Sequence, residues 1–299
     1  MLISVVIPHF NQPDYLRHCL QTLRDQEPFA ADAEIIVVDN GSKVMPDDIC
    51  AEFPEVTLLR ETTPGPGPAR NHGVTRAKGD VLAFIDADCH AHPGWLAAIA
   101  SAFFDDQTQI MGGDVRIHVL DPDNPTALEA YESVYAYRNK MYVSQGYSGT
   151  GNLATRPSIF ADVGGFAGIG VAEDREWGRR ATNGGYHIRY LPEMIVYHPA
   201  RRSFAELARK WDRHIAHDYE ERRPGLAGLL RWFAKAAALA ASPLYELFRI
   251  ARSDRISSRH ERLLAFGCLV RIRFYRAWTM ASIALTPHKT QSRSDWVRK

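Results

Sequence analysis

Val81-Leu82-Ala83-Phe84-Ile85-Asp86-Ala87-Asp88 carries five apolar residues into two carboxylates set one residue apart. An unbroken apolar run of this length predicts a strand buried on both faces, as in a parallel sheet. Ligands of open α/β sheets bind just beyond the carboxyl ends of such strands. Two acids there offer hard oxygen donors suited to Mg²⁺ or Mn²⁺ that also holds phosphate oxygens. Turn and helix-cap chemistry before a helix starting near Pro93 accounts for the pair equally well, so its neighbours decide.

Upstream, short apolar stretches at 2–7, 34–38 and 56–59 join 80–85 as expected strands. Helical patterns near 13–25, 46–53 and 66–77 alternate with them, which implies a parallel sheet with helices on both faces. Downstream, a helix is expected at 93–104, a strand at 109–118 and a helix at 126–142, followed by a glycine-rich passage from Gly146 to Gly151. From 203 onward only helices are expected. Ser203 and Glu206 have capping-box spacing for a helix reaching about Arg222. Segments 226–252 and 258–285 follow, interrupted by Arg231 and Lys235 and by Arg271, Arg273 and Arg276. Neither has the ~20 uninterrupted apolar residues of a simple membrane span. The polar end, 287–299, is expected to fray.

The chain has 299 residues, 45% hydrophobic and 24% charged, an ordinary globular composition. Cys19, Cys50, Cys89 and Cys268 form no CxxC pair, which fits a reduced cytoplasmic compartment. The start, Met1 to Ile7, lacks a basic n-region and ends at Pro8, so it reads as a first strand and not a signal peptide. A net charge of +1 conceals a division. Residues 1–200 carry 15 Lys and Arg against 26 Asp and Glu, whereas 201–299 carry 21 against 9. The chain divides accordingly into 1–202 and a basic helical region, 203–299.

Four further stretches accompany the acid pair. Pro8-His9-Phe10-Asn11 ends strand one, and Val37-Val38-Asp39-Asn40-Gly41-Ser42 ends strand two with an acid that can accept from a base or ribose. Ala69-Arg70-Asn71-His72-Gly73 follows the turn Thr63–Pro68, and Gly164-Gly165-Phe166 precedes Glu173-Asp174-Arg175-Glu176-Trp177. In this order they resemble the family 2 glycosyltransferases over roughly residues 2–200. That resemblance implies a GT-A fold, a Rossmann-like mixed sheet flanked by helices, with an α-helical region added at the C-terminus. It also implies inverting transfer of a sugar from a nucleotide-diphosphate donor, with UDP favoured, to a hydroxyl acceptor. By the same resemblance, Pro8, Phe10 and Asn11 line the nucleotide pocket, Asp39 holds the base, and Arg70 sits near the ribose or diphosphate. Asp86 contacts the ribose or metal, Asp88 ligates Mn²⁺ or Mg²⁺, and Asp174 is the catalytic base. Gly149, Gly151 and Asn152 shape the sugar or acceptor pocket, joined by Glu173 and Trp177, and Trp177 also reads as a packing residue.

His198, ending Ile195-Val196-Tyr197-His198, is a further candidate metal ligand, or a rim histidine bonded to a carbonyl. His9, His72, His90 and His92 read as solvated or capping. Arg201 and Arg202 either clamp the diphosphate or begin the basic face. The tail, with Trp211, Trp232, Phe233, Tyr245, Phe248 and Trp278 among many cations, suggests in-plane association with an anionic membrane through 203–286. A homodimer interface is the competing reading, and no nucleic-acid motif accompanies the charge. These features suggest a peripheral protein of the inner face of the cytoplasmic membrane, acting on a lipid-linked or cell-envelope glycan intermediate. A nucleotidyltransferase of sugar nucleotides would need a glycine-rich basic loop after strand one, and Pro8–Pro13 contains no Gly, Lys or Arg. A non-catalytic sugar-nucleotide or glycan-binding scaffold would most simply lack Asp88 or Asp174, and both are present.

Overall fold

A computed structural model describes residues 1–285; the polar end at 287–299 lies outside the described residues. In chain order the elements are β1 (Leu2–His9), α1 (Pro13–Arg24), β2 (Asp32–Asp39), α2 (Asp47–Ala51), β3 (Val56–Arg60), α3 (Pro66–Val74) and β4 (Val81–Ile85). Next come β5 (His90–Ala91), α4 (Trp95–Phe103), β6 (Ile110–His118), α5 (Ala127–Tyr135), α6 (Asn139–Ser144), β7 (Asn152–Thr155) and α7 (Pro157–Val163). The remainder are α8 (Glu173–Asn183), β8 (Ile188–Pro199), α9 (Phe204–Glu220), α10 (Leu226–Ala241), α11 (Pro243–Ala251) and α12 (Arg259–Leu285).

The chain divides into two compact units, Met1–Arg116 with Tyr137–Pro199, and Ile117–Ala136 with Ala200 onward. The sequence division at 202/203 places Ile117–Ala136 with the first part, whereas its contacts place it with the second.

The first unit carries an eight-stranded sheet in the order β3-β2-β1-β4-β7-β6-β8-β5. The pairs β1–β2, β1–β4 and β2–β3 are parallel, while β7 runs antiparallel to both β4 and β6, and β5 is antiparallel to β8. This is the mixed sheet of a GT-A fold. Alternate residues of each strand enter different cores. Ile3, Val5, Val37, Ala83 and Ile85 pack with α1 and α4 residues such as Leu16, Trp95 and Ile99. Val6, Leu82 and Phe84 pack with Phe160, Phe166 and Trp177. Burial on both faces is why β4 is apolar at every position.

The expected helix at 126–142 is two helices. Arg138 leaves helical geometry (φ −122°, ψ 49°), and Asn139 is buried, donating from Nδ2 to the Gly113 carbonyl at 2.9 Å. Thr126 and Glu129 form a complete capping box at the start of α5. At α9, Ser203 Oγ accepts from the Glu206 N–H at 3.3 Å, but Glu206 reaches back to the Arg202 N–H, one residue beyond the box. The expected segment 226–252 breaks at Ser242, because Pro243 has no N–H to continue the helix.

In the second unit, Tyr131, Leu207, Ile250, Leu269 and Ile272 form one core, and Ile215, Trp232, Ala236 and Met280 another. No helix among the described residues is long and apolar enough to cross a membrane.

Candidate active site

The end of β4 delivers Asp86 and Asp88 to the rim of the sheet, and a single guanidinium organises what surrounds them. Arg70 lies in α3, which opens at Gly65 with φ 122°, a backbone geometry that favours glycine. Its side chain is only 3% exposed. It donates from Nη2 to Asp86 Oδ1 at 2.5 Å and from Nη1 to Glu173 Oε1 at 3.1 Å. Arg70 thus bridges two acids far apart in sequence, and a buried fork of this kind fixes both carboxylates in place. Gly151, preceding β7, lets the chain approach, since a Cβ there would stand 2.5 Å from Asp86 Oδ2.

Asp88 faces His198 at the end of β8, with Nε2 3.5 Å from Oδ2. His198 Nδ1 donates to its neighbour, the Pro199 carbonyl, at 2.7 Å. Burial opposes charge on both groups. Their mutual attraction outweighs it, raising the imidazole above its usual pKa and lowering the carboxyl below its own. One ligand atom each from Asp86, Asp88 and Cys89 lies within 4.8 Å of the others. Burial and the two adjacent acids push the Cys89 thiol well above its ordinary range. The donor set therefore fits a hard divalent ion through Asp88, with Asp86 and His198 close by. Cys89 carries no spacing signal of its own in the sequence, where it simply follows Asp88.

At the ends of β1 and β2, His9 and Asp39 are paired in the sheet register and bonded through Nδ1 and Oδ1 at 3.0 Å. The Gln12 N–H donates to His9 Nε2 at 3.2 Å, so Nδ1 carries the proton given to Asp39. Asp39 Oδ2 also accepts from the N–H groups of Gly41 (3.1 Å) and Ser42 (3.0 Å). His9 is thus a buried loop brace, where a solvated or capping residue is expected from sequence, and its bond from the Gln12 N–H meets the head of α1. Asp39, whose oxygens are engaged in this way, braces the same loop. Asn11, at φ 54°, accepts from the Lys43 N–H at 2.9 Å and gives its own N–H to Ser42 Oγ at 2.8 Å. Phe10 is 40% exposed and Pro8 half-buried, which leaves this edge open to a planar ligand.

The Glu-Asp pair begins α8 and its two members differ. Glu173 is held by Arg70, whereas Asp174 has no cation within ion-pair distance among the described residues. Asp174 Oδ1 accepts from the Arg175 N–H, at 2.6 Å. Burial, reinforced by the neighbouring Glu173 charge, pushes its carboxyl above the usual pKa. A half-buried carboxylate without a counter-ion is a suitable proton acceptor.

Two expected pocket residues belong instead to the interior. Asn152 is fully buried. Its Oδ1 accepts from Trp95 Nε1 at 2.9 Å, and its Nδ2 donates to the carbonyls of Asp114 (2.8 Å) and Met194 (2.7 Å). It ties β7 to the elements around it and cannot floor a pocket. Trp177 is likewise buried. It donates from Nε1 to the Gly164 carbonyl at 2.8 Å and packs on Phe160 and Phe166, which supports its packing role and not sugar stacking. Asn71 does unanticipated work, since its side chain both accepts from the N–H of Phe166 and donates to its carbonyl, each at 2.8 Å. Arg201 pairs with Glu132 in the second unit, through its guanidinium and through its N–H.

The family model described as "Glycosyl transferase family 2" matches residues 4–175, a span that holds every acid of the rim. The chain belongs to glycosyl transferase family 2. This glycosyltransferase is 32% identical over 215 residues to glycosyltransferase AglE of Haloferax volcanii, an alignment covering 70% of each chain. It is 28% identical over 221 residues to the pre-mycofactocin glycosyltransferase of Mycobacterium tuberculosis, covering 70% of this chain and 45% of that protein. Among solved structures, the mannosyltransferase PcManGT of Pyrobaculum calidifontis, in complex with GDP-Man and Mn²⁺, aligns with TM-score 0.55 and 17% identity. That match covers 96% of this chain and 88% of the other. S. aureus TarS 1-349 in complex with UDP-GlcNAc aligns with TM-score 0.54 and 15% identity, over 99% and 78%. At such identities these two establish a common fold.

Proposed function

We propose that this glycosyltransferase moves a sugar from a nucleoside-diphosphate donor to a hydroxyl acceptor with inversion at the anomeric carbon. The observation that carries the reading is the Arg70 bridge, which holds Asp86 and Glu173 and leaves Asp174 as the unpaired acid beside them. Phe10, Asn11 and Pro8 take the nucleoside end, on a loop braced by His9 and Asp39. Asp88 would hold the divalent ion, Mn²⁺ or Mg²⁺, with Asp86 and His198 as the neighbouring candidate donors. The ion, when bound, neutralises charge building on the departing diphosphate. Asp174 takes the proton of the acceptor hydroxyl as the new C–O bond forms opposite the breaking bond to phosphate. The nucleoside diphosphate leaves with that electron pair, and no second nucleophilic acid is required.

The fold relatives bound to GDP-Man and to UDP-GlcNAc support the donor class. UDP is the first choice from the sequence resemblance. The deciding measurement is calorimetric titration of UDP-, GDP- and dTDP-sugars with and without Mn²⁺, on wild type and Asp88→Asn. One donor should bind with Mn²⁺ and lose most of that affinity in the variant; unchanged affinity removes the metal assignment.

The acceptor we propose is a lipid-linked or cell-envelope glycan intermediate, met at an anionic membrane surface. Exposed Tyr245 (80%), Phe248 (71%) and Trp278 (74%), with the basic residues of the second unit, support this reading. Trp232 does not contribute, because it is buried and donates from Nε1 to the Met280 carbonyl at 2.8 Å.

A further inference from the structure

The second unit contains cations that the transfer reaction does not use. Some basic side chains of the unit have a carboxylate partner. Glu132 takes Arg201, Glu246 accepts from Arg273 Nη2 at 3.3 Å, and Asp218 lies 2.7 Å from Lys235 Nζ. Among the described residues, Lys210 and Arg213 of α9 and Arg276 of α12 have no carboxylate within ion-pair distance. Asp212, between the first two in sequence, faces elsewhere, since both its oxygens lie 3.0 Å from the Tyr275 hydroxyl that donates to it.

Lys210 and Arg276 meet at one indole. The Arg276 guanidinium carbon lies 3.4 Å from the Trp211 ring centroid, and Lys210 Nζ lies 5.8 Å from it. Trp211 Nε1 and Arg276 Nε are buried without a hydrogen-bond acceptor. Both cations are half-buried. Burial, then repulsion from Arg201, Arg213 and Arg276, pulls Lys210 below its ordinary pKa; burial and Arg273 bring Arg276 down to about 10. Unpaired cations withdrawn from water beside one another oppose folding, as do buried donors without acceptors. A bound anion relieves the repulsion among these cations. The ring face fixes the guanidinium plane by cation–π attraction and leaves its other N–H groups for a ligand.

We propose that Lys210, Trp211 and Arg276 form a phosphoryl-binding site in the helical unit, distinct from the donor site and independent of the transfer reading. Arg213 supplies a third, exposed cation at its edge. A carboxylate would bring one charge to three cations. A phosphate monoester or diphosphate brings two or more, with oxygens for both a planar fork and a point charge. That group can be free in solution or can sit on a lipid head, and the chemistry is the same.

Thermal denaturation of the full chain in EDTA, with sodium pyrophosphate against sodium chloride at matched ionic strength, reads the site. Pyrophosphate should raise the Tm of wild type and of Asp88→Asn equally, and chloride should not. Lys210→Met and Arg276→Met should each weaken the apparent affinity about tenfold. Lys210→Met should also raise the anion-free Tm, because it removes a self-repelling cation, whereas loss of a purely structural side chain lowers it. Lys210→Arg should keep the response, and together with Lys210→Met it carries the test if Arg276→Met does not fold. Flotation with phosphatidic acid against phosphatidylcholine vesicles identifies the source. Capture lost in the variants places the phosphate on a lipid, and capture unchanged beside a lost pyrophosphate response places it in solution. Equal stabilisation by chloride, or no loss in either assay, overturns the site.

Discussion

Arg70 and Arg276 are both guanidiniums withdrawn from water, and they are compensated in opposite ways. Arg70, in the first unit, is gripped by Asp86 and Glu173. Arg276, in the second, lies on an indole, with no carboxylate within ion-pair distance among the described residues. The first arrangement is closed. It holds Asp86 and Glu173 still and leaves Asp174 as the unpaired acid beside them. The second sets a ring face, not an ion-paired carboxylate, against the charge. A buried cation therefore indicates positioning where acids surround it and recognition where they do not.

The largest effect should come from the unpaired acid. Asp174→Asn should lower the transfer rate about 10²- to 10⁴-fold while calorimetry finds donor affinity little changed; a surviving rate would move the base elsewhere. The closed arrangement is broken most directly by Arg70→Met, which leaves Asp86 and Glu173 without their cation. Removing one partner of a buried pair costs about 3–5 kcal/mol, so the chemical-denaturation midpoint should fall sharply. Arg70→Lys should restore only part, because an ammonium cannot span both acids as a fork.

A smaller effect is expected on the membrane side. Tyr245→Ser with Phe248→Ser should reduce binding to anionic vesicles about tenfold, given ~1.5–3 kcal/mol for burying a large apolar side chain completely and less for partial insertion. Added salt should weaken wild-type binding, and salt-independent flotation would argue for an uncharged partner surface. The subtlest effect is on pH. Asp174 must be ionised to accept a proton, and its pKa is raised, so the acid limb of the rate profile should lie above that of an ordinary aspartate. Glu173→Gln removes the like charge and should shift the limb to lower pH.

The ends of the parallel strands were legible in the sequence because burial on both faces forces unbroken apolar runs, and the chain then emits its polar residues at the rim. Asp86 and Asp88 follow directly from that. The bridge through Arg70 was not legible, since Glu173 lies 103 residues away and nothing local marks the pairing. Asn152 misled for a related reason. In a glycine-rich passage it reads as a loop residue, yet β7 carries it into the interior, where three partners use its side-chain amide. The assignment of Ile117–Ala136 to the second unit was hidden in the same way, because its order along the chain places it among elements of the first. In the tail, basic and aromatic composition was visible, but not which aromatics face inward. Trp232 and Trp278 look alike in sequence and end on different sides.

Gly151 brings a constraint of a different kind. Any side chain there would collide with Asp86 Oδ2, and Asp86 is tied through Arg70 to Glu173, next to Asp174. One added methyl group on β7's approach would thus be felt as a displaced carboxylate on β4 and a loosened turn at the head of α8. Position 151 converts bulk into charge placement, and a library of small residues there would shift the acids bridged by Arg70 without replacing any of them.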